Sequence, residues 1–192
     1  MKILLASQSA SRRAILTSAG IPFEARAAHV DEAAVKARHE GDPASLALRL
    51  AEMKALALPA PGALVVGGDQ VLEFEGRAYD KPASREEAAD RLCAMAGRTH
   101  YLRSGLCLAL DGAVVWRHAS SSMLTMRPMT RREVEDYLTE AGEGVLRTVG
   151  AYELEALGAR LFARVEGDYF AILGLDLLPL LAELRRREAL PW

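Results

Sequence analysis

Cysteine, histidine and aromatic side chains are what this chain has least of: 2 Cys, 4 His and 6% aromatics in 192 residues. Cys93 and Cys107 fit no metal-ligand spacing and no disulfide framework, so they read as packed thiols in a reducing cytoplasm. His29, His39, His100 and His118 show no paired spacing for a metal. His100, close to Gly97 and Arg98, reads as the end of a helix and is given no catalytic role. Charge of one sign is missing too. A net charge of −2 provides no overall basic field for nucleic acid, whereas a small anion needs only a local basic cluster. No apolar stretch is long enough to cross a membrane. The apolar run in the opening MKILLASQSASRR is too short for a secretory signal. Repeats and low-complexity tracts are absent. These exclusions point to a cytoplasmic protein without nucleic-acid or membrane partners. At 51% hydrophobic, residues 1–192 suffice for one sizeable core and do not demand two domains.

The residues that are present alternate between strand and helix signals. Lys2 to Ala6, Phe23 to Ala27, the run through Val65, Thr99 to Leu110, Val114 to Met126 and Arg160 to Val165 read as strands. Helices are expected over Arg12 to Ala19, Ala44 to Ala57, Ser84 to Met95, Thr130 to about Glu140 and Leu177 to Arg187. Ser84 with Glu87, and Thr130 with Glu133, have the spacing of capping boxes. Glu75-Gly76-Arg77 and Asp111-Gly112 mark hairpin turns. Gly142 to Ala159 reads as a loop. Long hairpins mixed with helices imply an α/β fold on a mixed sheet.

Candidate chemistry starts at ALVVGGDQVLEF, where an aliphatic run meets two glycines and Asp69. The glycines suggest close approach of a ligand to backbone, with Asp69 at the rim of the sheet. In SQSASRR, Ser7, Ser9 and Ser11 precede Arg12 and Arg13 at a helix start. That arrangement is either a phosphate cradle or a serine-capped surface helix with solvated arginines. Asp31 has the position of an N-cap, and Glu32 that of a second carboxylate for a divalent cation. Lys54 is either a solvated helical lysine or part of a site. Lys81, extended by Pro82, belongs either to a surface turn or to the Asp69 cleft. Gln70 and Glu155 are candidates for reading a base edge. Tyr152 and Tyr169 are either stacking platforms or core.

Taken in order, LLASQSASRRAIL, VDE, LAEMKA, GGDQV, DKP, AGRTH, VGAYELEALGARLF and VEGDYFAILGLDL resemble the Maf-like, septum-formation-inhibitor-related nucleotide pyrophosphatases along essentially the whole chain. The resemblance implies a Maf/ITPase-like fold: a mixed, twisted central sheet with flanking helices and a nucleotide cleft. It implies hydrolysis of nucleoside triphosphates to monophosphate and pyrophosphate, dependent on Mg²⁺ or Mn²⁺, in a possible homodimer. By the same resemblance, Ser9 and Arg12, with Lys54 and Lys81, bind substrate, and the basic loop adds Arg13 as a further substrate-binding candidate. Asp69 accepts a proton, and Glu32 with Asp69 meets the metal. Ser11, Gln70 and Glu155 fall where substrate preference varies, with Gln70 and Glu155 similar to the branch acting on 7-methyl-GTP. The chain departs from the family at Ala10, at Asp80 (a further acid beside Lys81) and at Asp176, a candidate N-cap. Two rival readings are a nucleotide-binding regulator of septum formation without turnover and a phosphatase releasing orthophosphate.

Overall fold

The computed structural model describes residues 1–192. Strands β1 (Lys2–Ala6), β2 (Glu24–Arg26) and β3 (Ala63–Phe74) run parallel, with β1 in the middle. The short β4 (Arg77–Tyr79) folds back on the end of β3. Antiparallel pairing then carries the sheet from β3 to β5 (Thr99–Leu110), β6 (Ala113–Met126) and β7 (Phe162–Glu166). The result is a seven-stranded mixed sheet in the order β2-β1-β3-β5-β6-β7, as the hairpin signals imply. Both expected turns have positive φ at two successive residues: 53° and 74° at Glu75-Gly76, 50° and 79° at Asp111-Gly112. That backbone matches the right-handed twist of the strands it joins.

Seven helices flank the sheet: α1 (Ala10–Ser18), α2 (Glu32–Ala37), α3 (Pro43–Leu56), α4 (Arg85–Met95), α5 (Arg131–Ala141), α6 (Tyr169–Ile172) and α7 (Leu177–Arg186). Most begin at a side-chain cap: Ser9, Asp31, Asp42, Ser84, Thr130 and Asp168 each accept a backbone N–H of the first turn. The Thr130–Glu133 box is reciprocal. At Ser84 only half of the box forms, because Glu87 Oε2 accepts instead from Ala83 N at 2.8 Å. Asp176 makes no capping bond at α7. It is 2% exposed, and its carboxylate turns toward β6, with Oδ1 3.6 Å from His118 Nε2. The expected loop after α5 holds two 3-10 turns, Glu143–Arg147 and Leu157–Leu161. The second takes up Arg160 and Leu161, so β7 starts later than the sequence suggests.

The core follows strand alternation. On one face, Leu4, Ala6, Val65 and Cys107 pack against Ala51 and Ala55 of α3. On the other, Ile3, Leu5, Leu64 and Leu106 meet Ile15 and Leu16 of α1 and Leu180 and Leu184 of α7. Further along that second face, Leu72, Leu102 and Leu124 pack on Leu92 of α4 and Leu138 of α5. The free Cys107 thiol is a packed side chain, pushed up to about 12 by burial, with Glu52 adding to the shift.

Two glycines have a different purpose from that expected. A Cβ on Gly67 would lie 2.1 Å from the Ala51 carbonyl oxygen and 2.7 Å from Ala55 N. A Cβ on Gly68 would lie 3.1 Å from Leu106 Cδ2 and 3.4 Å from Arg12 Nε. Gly67 therefore lets α3 settle on the sheet, and Gly68 makes room for Arg12. The close neighbours are the protein's own groups, and β3 runs on to Phe74 instead of ending at the glycines.

Candidate active site

The position of the site follows from incomplete pairing along β3. On one side β3 is paired without interruption to β5, from Leu64 to Glu73. On the other, β1 accompanies it only as far as Val66, and pairing with β4 begins at Leu72. Gly67 to Val71 thus form an open edge beyond the end of β1, where open α/β sheets receive ligands. Side chains from both faces of the strand reach this gap. A cleft of about 1330 Å³ opens there. It is lined by the loop into α1, by α2 and α3, by the β4–α4 connection and by residues 144–155.

Asp69 lies on the α3 face of the strand, and there it meets Lys54. Lys54 Nζ is 2.5 Å from Asp69 Oδ1 and 2.8 Å from Glu32 Oε1. Its side chain is only 12% exposed, so the reading of Lys54 as a solvated helical lysine is set aside. Burial pushes the Glu32 carboxyl up, but the Lys54 hydrogen bond and the charges of Lys54, Lys36 and Lys81 outweigh it. The net effect holds Glu32 below the usual carboxylate range.

Arg12 approaches from the α1 side through the space left by Gly68. Its Nε donates to the Gly174 carbonyl at 2.8 Å and its Nη1 to Ser7 Oγ at 3.3 Å. Burial lowers the pKa of this guanidinium, while the charges of Asp69 and Glu32 pull it back up. Ser9 Oγ caps α1 at Arg12 N, 3.4 Å away, and shares a 2.9 Å hydrogen bond with Ser11 Oγ. The loop is both a capped helix start and a wall of the cleft.

Lys81, Arg13 and Glu155 are exposed, line the cleft and make no ion pair. Gln70 points to the opposite face from Asp69. Its amide Nε2 donates to the Ala171 carbonyl at 2.8 Å, to Ile172 O at 3.3 Å and to Ser104 Oγ at 3.3 Å. All the expected site residues therefore line one cleft. The two tyrosines are placed differently: Tyr152 packs in the core at the cleft wall and Tyr169 is exposed. Tyr152 is buried, its hydroxyl 2.7 Å from His100 Nε2, and Tyr169 stands on α6 outside the cleft. His100 is an interior residue of β5 and not a helix end.

The family model described as "Maf-like protein" matches residues 2–187. The chain belongs to the Maf-like family. It is 45% identical over 196 residues to a nucleoside triphosphate pyrophosphatase of Hyphomonas neptunium, covering 100% of this chain and 98% of the relative. It is 46% identical over 193 residues to a 7-methyl-GTP pyrophosphatase of Rhizobium meliloti, covering 98% and 97%. A crystal structure of a nucleoside-triphosphatase / dITP/XTP pyrophosphatase from Mycobacterium abscessus superposes with a TM-score of 0.42 at 16% identity, covering 100% of this chain and 98% of that one.

Within this Maf-like cleft, sequence reasoning missed Lys36, Arg147 and the Gly174 carbonyl. Lys36 carried a signal, its i,i+4 spacing from Glu32 on one face of α2. Arg147 sits in a stretch with no periodicity, and Gly174 contributes backbone alone, so neither was visible. Asp80, the further acid beside Lys81, pairs its carboxylate with Lys36.

Proposed function

We propose that this chain hydrolyses nucleoside triphosphates to nucleoside monophosphate and pyrophosphate, with residues 1–192 acting as one nucleotide pyrophosphatase domain. The observation that carries the reading is the pair of carboxylates, Asp69 and Glu32, sharing the Lys54 ammonium inside a cleft that also holds Arg12, Lys36 and Lys81. Cations suit the polyphosphate, and a carboxylate beside them suits a water that must lose a proton. Water oxygen bonds to a phosphorus at the α–β anhydride, the bridging P–O bond breaks toward pyrophosphate, and the water proton passes to Asp69. Arg12, Lys54 and Lys81 offset charge on the departing pyrophosphate, and Ser9 donates a hydrogen bond to a phosphate oxygen. Arg13, at the cleft mouth, draws the substrate in.

The site also fits a divalent cation. Lys54 Nζ marks a position where both carboxylates already accept a positive charge, at 2.5 and 2.8 Å. No group of three or more His, Cys, Asp or Glu side chains converges there, so in this reading substrate phosphates and water would have to complete the coordination begun by the two carboxylates. Mg²⁺ or Mn²⁺ would be held by Asp69 and Glu32, and when bound would supply charge neutralisation on the phosphates and acidify water.

Base preference follows from which atoms are free. The Gln70 amide nitrogen is spent on backbone carbonyls, so the side chain has its carbonyl oxygen left to offer. Glu155 offers only acceptors. Two acceptors select a base edge that presents donors, as guanine does, and Ser11 lines the same cleft. A guanine-type triphosphate, 7-methyl-GTP included, is the substrate class that agrees with this. The reading extends to a cytoplasmic homodimer, with every cleft residue named above supplied by one chain.

The experiment is pyrophosphate release from a panel of ordinary and 7-methylated triphosphates, with Mg²⁺ or Mn²⁺, by the unmodified protein and by Asp69→Asn. Turnover should fall by about 10³-fold or more in the variant, the scale at which an essential proton acceptor is lost. Unchanged turnover in a folded Asp69→Asn protein removes the assigned role. Nucleotide binding without product identifies a regulator, and orthophosphate alone identifies a phosphatase.

A further inference from the structure

One line of charge runs the width of the cleft and alternates in sign: Asp80, Lys36, Glu32, Lys54, Asp69. Lys36 pairs with Asp80, lies 3.8 Å from Glu32 Oε2, and Glu32 continues to Lys54 and Asp69. Lys36 lies within the field of the two inner acids. Burial would lower its pKa, but Asp80, Glu32 and Asp69 together raise it, so it stays an ammonium. Its two carriers are held very differently. Helix α2 has no fully buried residue and rests on the core through the partly buried Val35. Asp80 sits on a fixed loop, because the buried Arg91 donates to the Asp80 carbonyl and, at 2.7 Å, to the Val149 carbonyl behind it. The Lys36–Asp80 pair is itself weakly held, with side chains 30% and 69% exposed. Solvent screening leaves exposed pairs of this kind little net strength. A phosphate carrying more than one charge outcompetes a single solvated carboxylate for that ammonium.

Resting on the pyrophosphatase reading, we infer that Lys36 is a further polyphosphate-binding cation and that Asp80 is a positioning residue that competes with phosphate for it. Asp80 holds Lys36 against the cleft wall when no anion is present. The polyphosphate takes Lys36 over, and Asp80 recaptures it as pyrophosphate leaves. Asp80 thereby limits how tightly the product is retained.

The test is a double-mutant cycle on Lys36→Met and Asp80→Asn, read by calorimetric titration with inorganic pyrophosphate at fixed magnesium concentration. Lys36→Met should weaken pyrophosphate binding by about tenfold, the scale of one charge-assisted hydrogen bond. Asp80→Asn should tighten it by about threefold, the scale of releasing an exposed ion pair. In the Lys36→Met background Asp80→Asn should have no further effect. In turnover, Asp80→Asn should lower KM and kcat together, because the product leaves more slowly. Three results each overturn the inference: unchanged binding in Lys36→Met, an equal Asp80→Asn effect in both backgrounds, or no measurable pyrophosphate binding by the unmodified chain. Triphosphate turnover by the unmodified chain is followed alongside. Its absence with the coupling intact removes the hydrolase reading alone, and its presence without the coupling removes this inference alone.

Discussion

His100 shows how one residue's surroundings set a measurable property. It is fully buried in β5, its Nε2 bonded to the Tyr152 hydroxyl at 2.7 Å and its Nδ1 without a partner. Burial lowers its pKa from 6.5 to about 4. The folded state therefore keeps His100 neutral at pH values where the unfolded chain protonates it. Above pH 6.5 both states are neutral and the stability is fully present. As pH falls from 6.5 toward 4, the unfolded state binds the extra proton and stability drops by about 1.4 kcal/mol per pH unit. Below pH 4 no further loss comes from this group. Replacing it by Gln keeps a polar partner for Tyr152 and removes the titration. Urea unfolding of the two proteins between pH 4 and 7 should show a constant offset above pH 6.5 and a progressive fall of the unmodified protein relative to the Gln variant as pH drops from 6.5 toward 4. Parallel curves would show that His100 is not the group responsible.

Helix α3 is the element on which the cleft depends, because it carries Lys54 to Asp69. Its closeness to the sheet rests on two glycines. A Cβ on Gly105 would lie 2.6 Å from the Ala47 carbonyl carbon and oxygen, and one on Gly67 2.1 Å from the Ala51 oxygen. These are backbone atoms of the helix and cannot rotate away. Gly105→Ala and Gly67→Ala should each cost about 2 to 4 kcal/mol in urea unfolding, at or beyond the upper end of overpacking costs. They should also lose turnover, because lifting α3 withdraws Lys54 from Asp69. Gly144→Ala is the control for stability, since a Cβ there meets nothing within 4 Å and its φ is not positive. The same element marks the boundary of what the sequence reveals. Its helical extent was legible from Leu46, Leu50 and the prolines that follow. Its glycine-mediated approach was not, because Gly67 and Gly105 lie 38 residues apart and meet one helix only through strand pairing of Gly67 with Cys107, two places from Gly105. Hairpins and caps were legible for the opposite reason: Asp111-Gly112 and Thr130–Glu133 are completed within four residues. Lys54 and Lys36 stood between these cases, since a helical lysine declares its partner only once the sheet brings Asp69, or a distant loop brings Asp80.

At the scale of the molecule, Arg12 joins the two ends of the chain. Its Nε bond to Gly174 spans 162 residues, and beside it Gln70 reaches the Ala171 carbonyl 101 residues away. Strand β3, helix α1 and the α6–α7 connection are thus held around one side of the cleft by side-chain donors on backbone carbonyls. A planar guanidinium can serve Gly174 O and Ser7 Oγ at once while its charge still faces the acids. A lysine ammonium has the charge without the fork. Arg12→Lys should therefore fold but lose about 1 to 2 kcal/mol, since a buried carbonyl or hydroxyl goes unpaired. Its pyrophosphate release should fall more than the loss of stability explains, because Gly174 lies just past α6, whose Ala171 and Ile172 carbonyls orient Gln70. If that coupling holds, the variant should lose discrimination between guanine and other bases along with rate. Full stability with an unchanged base preference in Arg12→Lys would mean that the C-terminal segment is held by the α7 core alone, and that Arg12 acts only as a charge.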